Sequence, residues 1–277
     1  TFRLHFLRCD NFDVNKATRR LINYYDFRLQ MFGIECLVRP ITYDDLQEDS
    51  QSLVRSGSSQ IIGEDQVGRP VFLSLPKQRR LDADWNGMAR AYFYLSMLAL
   101  RDFPECSQKG AVVIMYDSSE IKGYAPTEIS QQRRFHDTSY LQGANQFFRA
   151  IPNRLSAVHF CYDNPHLTGP MHALQFMIGR QGRVRFRAHF GSHLENVYKL
   201  MTFGIPTKNM PFLQDGTVSL QRFHQWIDLN AHRERQQRQA ELSEEERENR
   251  IRYPRQGDIL AGRGRPYQDF PGNVMLG

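Results

Sequence analysis

The chain has 277 residues, 40% of them hydrophobic and 12% aromatic, which is enough for one large packed domain or two smaller ones. Its apolar stretches are all far shorter than the ~20 residues of a membrane-spanning helix, and its four scattered cysteines favour reduced thiols over a disulfide framework. The net charge of +6 favours anionic partners such as lipid headgroups or nucleic acid.

The first 35 residues predict a small helical region. Residues 1–9 have the pattern of a helix end, and because Thr1 already lies inside that pattern, we expect further chain before it. Asp13 is the predicted N-cap of a long helix that ends at Gly33. Its apolar face is predicted from residues that recur at steps of three or four: Val14, Ala17, Leu21, Tyr25, Leu29 and Phe32. Residues 34–59 are polar and irregular, which predicts a loop or a frayed helix.

Residues 64–153 alternate between strand and helix patterns, which predicts a partly parallel sheet. Residues 71–75 and 111–116 are predicted strands, and the unbroken apolar run of the second is typical of a strand covered on both faces. Helices are predicted over residues 84–101 and after Pro126, where Thr127 is the expected N-cap. The turn that precedes the first strand, D-x-x-G-R-P from Asp65, indicates by itself no more than a hairpin turn.

The stretch from residue 154 to 211 predicts four consecutive elements. They are a buried strand over 156–162, an apolar helix over 167–178, an alternating strand over 183–190 and a helix that begins with a capping box of Ser192 and Glu195. The alternation places Val184, Phe186, Ala188 and Phe190 on one strand face and Arg183, Arg185, Arg187 and His189 on the other. The last helix is expected to carry Leu194, Val197, Leu200 and Met201 on one apolar face.

The C-terminal part is different in composition. Residues 219–229 predict a final helix, and residues 232–252 are so rich in charge that they predict a solvated helix or a disordered linker. Residues 257–277 resemble the start of a domain of uncharacterised function that is abundant in diatom proteins, which implies a second domain that is truncated here. The Gly-Arg-Gly at 262–264 follows no strand, so it does not indicate a phosphate-binding loop.

No arrangement of residues in the sequence predicts catalysis, and we expect a binding protein that is not an enzyme. His189 and His193 are four residues apart, but one falls on a predicted strand and the other at a helix start, and no further ligands can be placed. Ser118 and Ser119 lack the G-x-S-x-G surroundings of an activated serine. We therefore predict no catalytic residue, no metal site and no cofactor.

Three stretches together resemble the CRAL-TRIO (Sec14-like) lipid-binding domain over roughly residues 1–216. They are FLRCDNFDVNKATRRLINYYDFR, the D-x-x-G-R-P turn, and Ile151-Pro152-Asn153-Arg154-Leu155 with the strand, apolar helix and basic strand that follow. The resemblance implies an α/β fold in which a mixed β-sheet floor has flanking helices and an apolar gate helix, after a small helical N-terminal region. It implies that residues 1–35 form the N-terminal region, 55–222 the lipid-binding domain, 223–256 a charged linker and 257–277 the start of the truncated domain.

The same resemblance implies a function in lipid binding. The chain is expected to bind, and to transfer between membranes, a phosphoinositide or other phospholipid, and to be a cytoplasmic protein that associates transiently with membranes. The implied pocket and gate residues are Leu167, Met171, Leu174, Met177, Ile178, Val112, Ile114 and Phe186. Arg185 or Arg187 is the implied headgroup contact, since a guanidinium suits phosphate. Val112 and Ile114 stand where phosphatidylcholine transporters present hydroxyl groups, which argues against choline lipids.

The sequence also allows two other interpretations. From the residues alone, the apolar helix at 167–178 is better explained as an ordinary buried core helix than as a gate. The arginines at 183, 185 and 187 could instead form a phosphate-contacting stripe of a nucleic-acid or protein-interaction module without a lipid cavity. That module would bind with a steep salt dependence, but it lacks aromatic residues interleaved on the basic face, so we do not expect nucleic acid as a partner.

Overall fold

The computed structural model describes residues 2–76, 84–121, 138–177, 184–212 and 218–252. The α-helices within these residues are α1 (Phe2–Cys9), α2 (Val14–Phe32), α3 (Glu48–Arg55), α4 (Trp85–Asp102), α5 (Cys106–Lys109), α6 (Thr138–Ala150), α7 (Thr168–Met177), α8 (His193–Thr202) and α9 (Gln221–Arg252). The strands are β1 (Ser59–Glu64), β2 (Pro70–Ser74), β3 (Ala111–Asp117), β4 (Leu155–Tyr162) and β5 (Phe186–Phe190). The Thr127 cap, Ile178, Arg183 and the predicted domain start at 257–277 lie outside the described residues.

The five strands form one mixed sheet in the order β1-β2-β3-β4-β5. β1 is antiparallel to β2, and β2 to β5 are mutually parallel. Parallel neighbours need crossover connections, and these contain α4 and α5 between β2 and β3, α6 between β3 and β4, and α7 between β4 and β5. The predicted α/β fold with a mixed sheet and flanking helices is thus confirmed.

β1 was not predicted, because its sequence SQIIGE is too polar to stand out as a strand. It forms a hairpin with β2, and the turn between them is the D-x-x-G-R-P sequence. The buried carboxylate of Asp65 accepts hydrogen bonds from the backbone N–H groups of Val67 and Arg69, at 3.0 and 2.9 Å, and from the Arg69 guanidinium. The motif therefore acts as a hairpin turn in this chain.

The N-terminal helices pack against α4 and α6. Asp13 caps α2 as predicted, since its side chain accepts a hydrogen bond from the backbone N–H of Lys16. The predicted apolar face of α2 is wrong in part, because Val14, Tyr25 and Leu29 are exposed. The residues of α2 that are buried instead are Ala17, Tyr24, Phe27, Arg28 and Met31. They join a core with side chains of α4 and α6 that include Phe93 and Phe147.

One face of the sheet packs against α8. On this face, Leu73 and Cys161 pack with Leu200 of α8 and Ile205. α8 begins with the predicted capping box of Ser192 and Glu195. Its buried side chains are Asn196 and Leu200, whereas the predicted Leu194 and Met201 are exposed.

β5 is shorter than the predicted strand, because Val184 and Arg185 are in a helical turn before it. As the last strand in the order it is an edge of the sheet. At the C-terminus, the predicted final helix and the charged stretch after it are both within α9, so the charged residues to Arg252 are helical. The chain divides into two units, Thr1–Ile227 and Asp228–Gly277. The first unit holds the sheet and α1 to α8, and the described part of the second is helical.

Candidate ligand cavity

An apolar cavity of about 310 Å³ lies in the first unit, between the sheet and the helices α4 and α6. Its described lining is Ser59, Phe72, Leu73, Ser74, Trp85, Tyr92, Leu95, Ser96, Ala111, Val113, Met115, Ala144, Phe147, Phe148, Ile151, Asn153, Arg154 and Leu155. Most of these side chains are aliphatic or aromatic. A concave, mainly apolar space with a few polar groups is typical of small-molecule sites, whose volumes are about 300–1,000 Å³.

The strand register fixes which sheet residues face the cavity. Phe72 is paired with Val113, and Ser74 with Met115, so these four share one face of β2 and β3. Met115 is paired in turn with Phe160 of β4. The cavity face therefore continues across the sheet toward β5.

The helical wall depends on a close contact between α4 and α6. A Cβ atom at Gly143 of α6 would collide with the indole of Trp85, the first residue of α4. The absence of a side chain at Gly143 thus lets the two helices approach where both line the cavity. Phe147, one turn further along α6, has its ring 6.4 Å from that of Tyr92 in an edge-to-face contact.

Two consecutive polar residues, Asn153 and Arg154, mark one end of the cavity. The Asn153 amide donates to the backbone carbonyl of Ser96 at 3.2 Å. The Arg154 guanidinium donates through Nη1 to Oδ1 of Asn11, at 2.8 Å, in the turn between α1 and α2. Phe148, near the end of α6, also lines the cavity and is 50% exposed.

The predicted gate helix corresponds to α7 and to the short 3₁₀ turn Pro165–Leu167 before it. Met171 is buried against Phe160 and Tyr162, with Leu167, Phe186, Ala188 and Met115 packed around them. The structure thus brings together the predicted residues Leu167, Met171 and Phe186, on the sheet face that also carries the cavity. Met115 belongs to both groups. The side chains of Leu174 and Met177 are outside the described part of the structure.

The described part of α7 buries one of its sides and exposes the others. Gly169, Pro170, His172 and Ala173 are exposed, and Met171 is the buried residue among them. This half of α7 therefore covers the sheet with a single side.

Val112 and Ile114, predicted to line a lipid pocket, lie on the opposite face of the sheet from the cavity. Both are fully buried in the core that includes Leu73 and Leu200. β3 is apolar at every position from Ala111 to Tyr116, so its sequence gives no sign of which alternate set faces the ligand side. Val113 and Met115 are the β3 side chains on the cavity face.

The predicted headgroup arginines are not close to the cavity. Arg187 lies on the same face as Val112, and its guanidinium stacks over the ring of Phe203 with 4.8 Å between the cation and the ring centroid. Arg185 is exposed in the turn before β5. Because Arg185 is outside the strand and His189 is buried, the predicted stripe of cations on one strand face is not formed by the described residues.

A buried histidine pair lies beside Arg187. Nδ1 of His159 is 2.9 Å from Nε2 of His189, and the two rings are parallel to within 9°. Burial lowers the pKa of His159 to about 3 and that of His189 to about 4, and neighbouring cations add to both shifts. The pair is therefore neutral at pH 7 and serves as a polar part of the core.

Ser118 and Ser119 both contact the carboxylate of Asp163. Their hydroxyls donate hydrogen bonds to its Oδ2, at 2.9 and 2.6 Å. These contacts join the ends of β3 and β4. Within the described ranges, no group of three or more histidine, cysteine or acidic residues could hold a metal ion. The same residues include no helix long and apolar enough to cross a bilayer.

No family model matches the chain, and no curated protein matches it. Among solved structures, the crystal structure of Sfh5, a Sec14-family protein, is similar with a TM-score of 0.40 and 14% sequence identity. The similarity covers 68% of this chain and 63% of the Sfh5 chain, so the matched part spans less than two thirds of that protein. It does not establish membership of the family.

Proposed function

We propose that the chain binds a hydrophobic lipid ligand in the apolar cavity and exchanges it with membranes. The observation that supports this function is the cavity itself, whose lining is almost entirely apolar. Protein interiors are normally packed with few voids larger than a water molecule. An apolar ligand in such a space gains about 0.8 kcal/mol for each methylene group removed from water.

Exchange requires a cover that opens, and α7 is the proposed cover. Its Met171 packs on Phe160 and Tyr162, in the group that Met115 connects to the cavity. The segment is short, and glycine and proline precede Met171. Opening would expose apolar side chains to a membrane interface, where Leu174, Met177 and Ile178 are proposed to insert. We expect Leu174→Asp with Met177→Asp to abolish lipid pickup from vesicles, and unchanged pickup would contradict the role of α7.

A phosphoinositide remains a proposed membrane partner, with Arg185 and Arg187 as the proposed contacts of its phosphates. Both arginines are away from the cavity, so this contact would be made at the membrane surface by lipid that stays in the bilayer. Arg187 already rests on Phe203, which leaves its outward N–H groups available to an anion.

The cavity role is tested by filling the space. Ala144 of α6 lines the cavity, and Ala144→Leu adds three carbon atoms to the lining. Asn145→Leu is the matched control, because it places the same side chain at the next position of α6, which is exposed. We expect loading of a fluorescent single-chain lipid to fall at least ~10-fold in Ala144→Leu and to stay within ~2-fold in Asn145→Leu. Equal loading of both variants would exclude this cavity as the binding site.

A further inference from the structure

The cavity has one charged residue in its described lining, Arg154, which is partly exposed and donates a hydrogen bond to Asn11 at the surface. Phe148, half exposed, and Asn153 lie at the same end of the cavity as Arg154. The other lining residues with polar side-chain atoms are uncharged, namely Ser59, Ser74, Trp85, Tyr92 and Ser96. The cavity is therefore apolar along its length with a single cation at its mouth.

The charge of Arg154 has no anionic partner among the residues that the structure describes. Its guanidinium donates to the neutral amide oxygen of Asn11 at 2.8 Å. Arg20, in contrast, has an anionic partner, because the Asp10 carboxylate accepts hydrogen bonds from two of its N–H groups at 2.8 and 3.0 Å. The remaining donors of Arg154 suit a carboxylate or phosphate, which a planar guanidinium binds with paired hydrogen bonds.

The length of the lining favours a short apolar chain. Ala111 and Met115 both line the cavity and are separated by four residues of strand, about 13 Å at ~3.3 Å per residue. With bonds of ~1.5 Å between carbons, an extended chain of about ten carbons has this length.

From these features we propose that the ligand is a single-chain amphiphile of about ten carbons with an anionic head, and that Arg154 binds the head at the mouth of the cavity. This inference rests on the proposed lipid-binding function and narrows its ligand class. The head is a carboxylate or a monophosphate, which share the chemistry that Arg154 recognises.

The test is a displacement titration of the full chain with a fluorescent fatty acid. The competitors are octanoate, decanoate, palmitate, decyl phosphate and decanol. We expect decanoate and decyl phosphate to bind at least ~10-fold more tightly than decanol, and decanoate more tightly than palmitate. Comparing the affinities of decanoate and decyl phosphate then shows whether Arg154 prefers a carboxylate or a phosphate head group. Either result supports the proposal.

Three variants test whether Arg154 binds the anionic head group of the ligand. Arg154→Gln should weaken decanoate at least ~10-fold and change decanol by less than ~2-fold, while Arg154→Lys, which keeps the charge, should retain most of the affinity. Arg149→Gln is the matched control, because it removes a positive charge from an exposed position of α6 five residues away. Circular dichroism of each variant checks that it folds, and if Arg154→Gln does not fold, the comparison of decanoate with decanol on the wild-type chain decides.

The outcomes separate this inference from the proposed function. If decanol binds as tightly as decanoate, or if Arg154→Gln and Arg149→Gln behave alike, the anionic head is wrong and lipid binding stands. If palmitate is the tightest ligand, the chain length is wrong. If none of the amphiphiles displaces the probe and the probe itself does not bind, the proposed function fails with the inference.

Discussion

The indole of Trp85 occupies the space that any side chain at position 143 would fill. Trp85 begins α4 and Gly143 lies within α6, and both helices line the cavity. The two residues are far apart in sequence, so this contact sets the distance between two walls that the chain forms separately. It makes the packing of the cavity sensitive to one hydrogen-to-methyl change.

Gly143→Ala should therefore destabilise the fold, although alanine is the better helix former by about 1 kcal/mol. The added methyl group displaces the indole, and overpacking of this kind costs about 1–3 kcal/mol. Gly169→Ala in α7 is the matched control, since nothing lies within 4 Å of a Cβ at Gly169, and it should be neutral or stabilising. Urea unfolding of both variants measures the difference. A stabilised Gly143→Ala would contradict the close contact.

Arg20→Met should cost about 2–4 kcal/mol of unfolding free energy. Arg20 pairs with Asp10 and also donates to the backbone carbonyls of Phe148 and Ile151, at 3.0 and 3.1 Å, so it joins the α1–α2 turn to the end of α6. Lys16→Met is the control, because Lys16 pairs with Asp13 on the surface, where solvent screens the pair and its loss should change stability little. Equal losses in the two variants would show that Arg20 does not hold this junction.

The His159–His189 pair predicts a loss of stability in acid. Burial lowers both pKa values, to about 3 and about 4, from the ordinary 6.5. The unfolded chain therefore binds protons that the folded chain does not, so the contribution is complete above about pH 6.5 and is lost as the pH falls toward 4. At pH 5 each histidine lowers the free energy of unfolding by about 2 kcal/mol.

His189→Phe keeps a ring beside Phe203 and removes one titrating group. Between pH 7 and pH 5, its unfolding free energy should fall by about 2 kcal/mol less than that of the wild type. Urea unfolding at pH 7 and at pH 5 gives the change in unfolding free energy for the wild type and for the variant. An equal change in both proteins would mean that His189 is accessible to protons in the folded state.

Arg185→Gln with Arg187→Gln should weaken binding to vesicles that contain phosphoinositide and leave cavity loading unchanged. Each cation near an anionic membrane surface contributes about 1 kcal/mol, so the double variant should lose about 30-fold in vesicle affinity. Sedimentation with vesicles and loading of a fluorescent lipid measure the two properties separately. Unchanged sedimentation would exclude these arginines as headgroup contacts.

Local signals in the sequence predicted helix starts and most strands correctly. Asp13 and Ser192 were recognised as caps because a cap depends only on residues three positions apart. The apolar run of β3 also identified a strand covered on both faces. These features do not depend on distant parts of the chain.

Orientation could not be predicted in the same way. α2 carries apolar residues on two sides, and the buried side is decided by Phe93 and Phe147, which lie far along the chain. β3 is apolar on both faces, so its sequence does not distinguish Val112 and Ile114, which are predicted for the pocket, from Val113 and Met115, which face it. The cavity itself has no local sequence signal, because its walls come from separate strands and helices.

The most direct test of lipid binding is native mass spectrometry of the full chain after purification from cells. The proposed function predicts one bound lipid per chain, released on unfolding and recovered by extraction, in the wild type and in Asn145→Leu but not in Ala144→Leu. A wild-type chain that has only its polypeptide mass, and that takes up no lipid from added vesicles, would contradict the account.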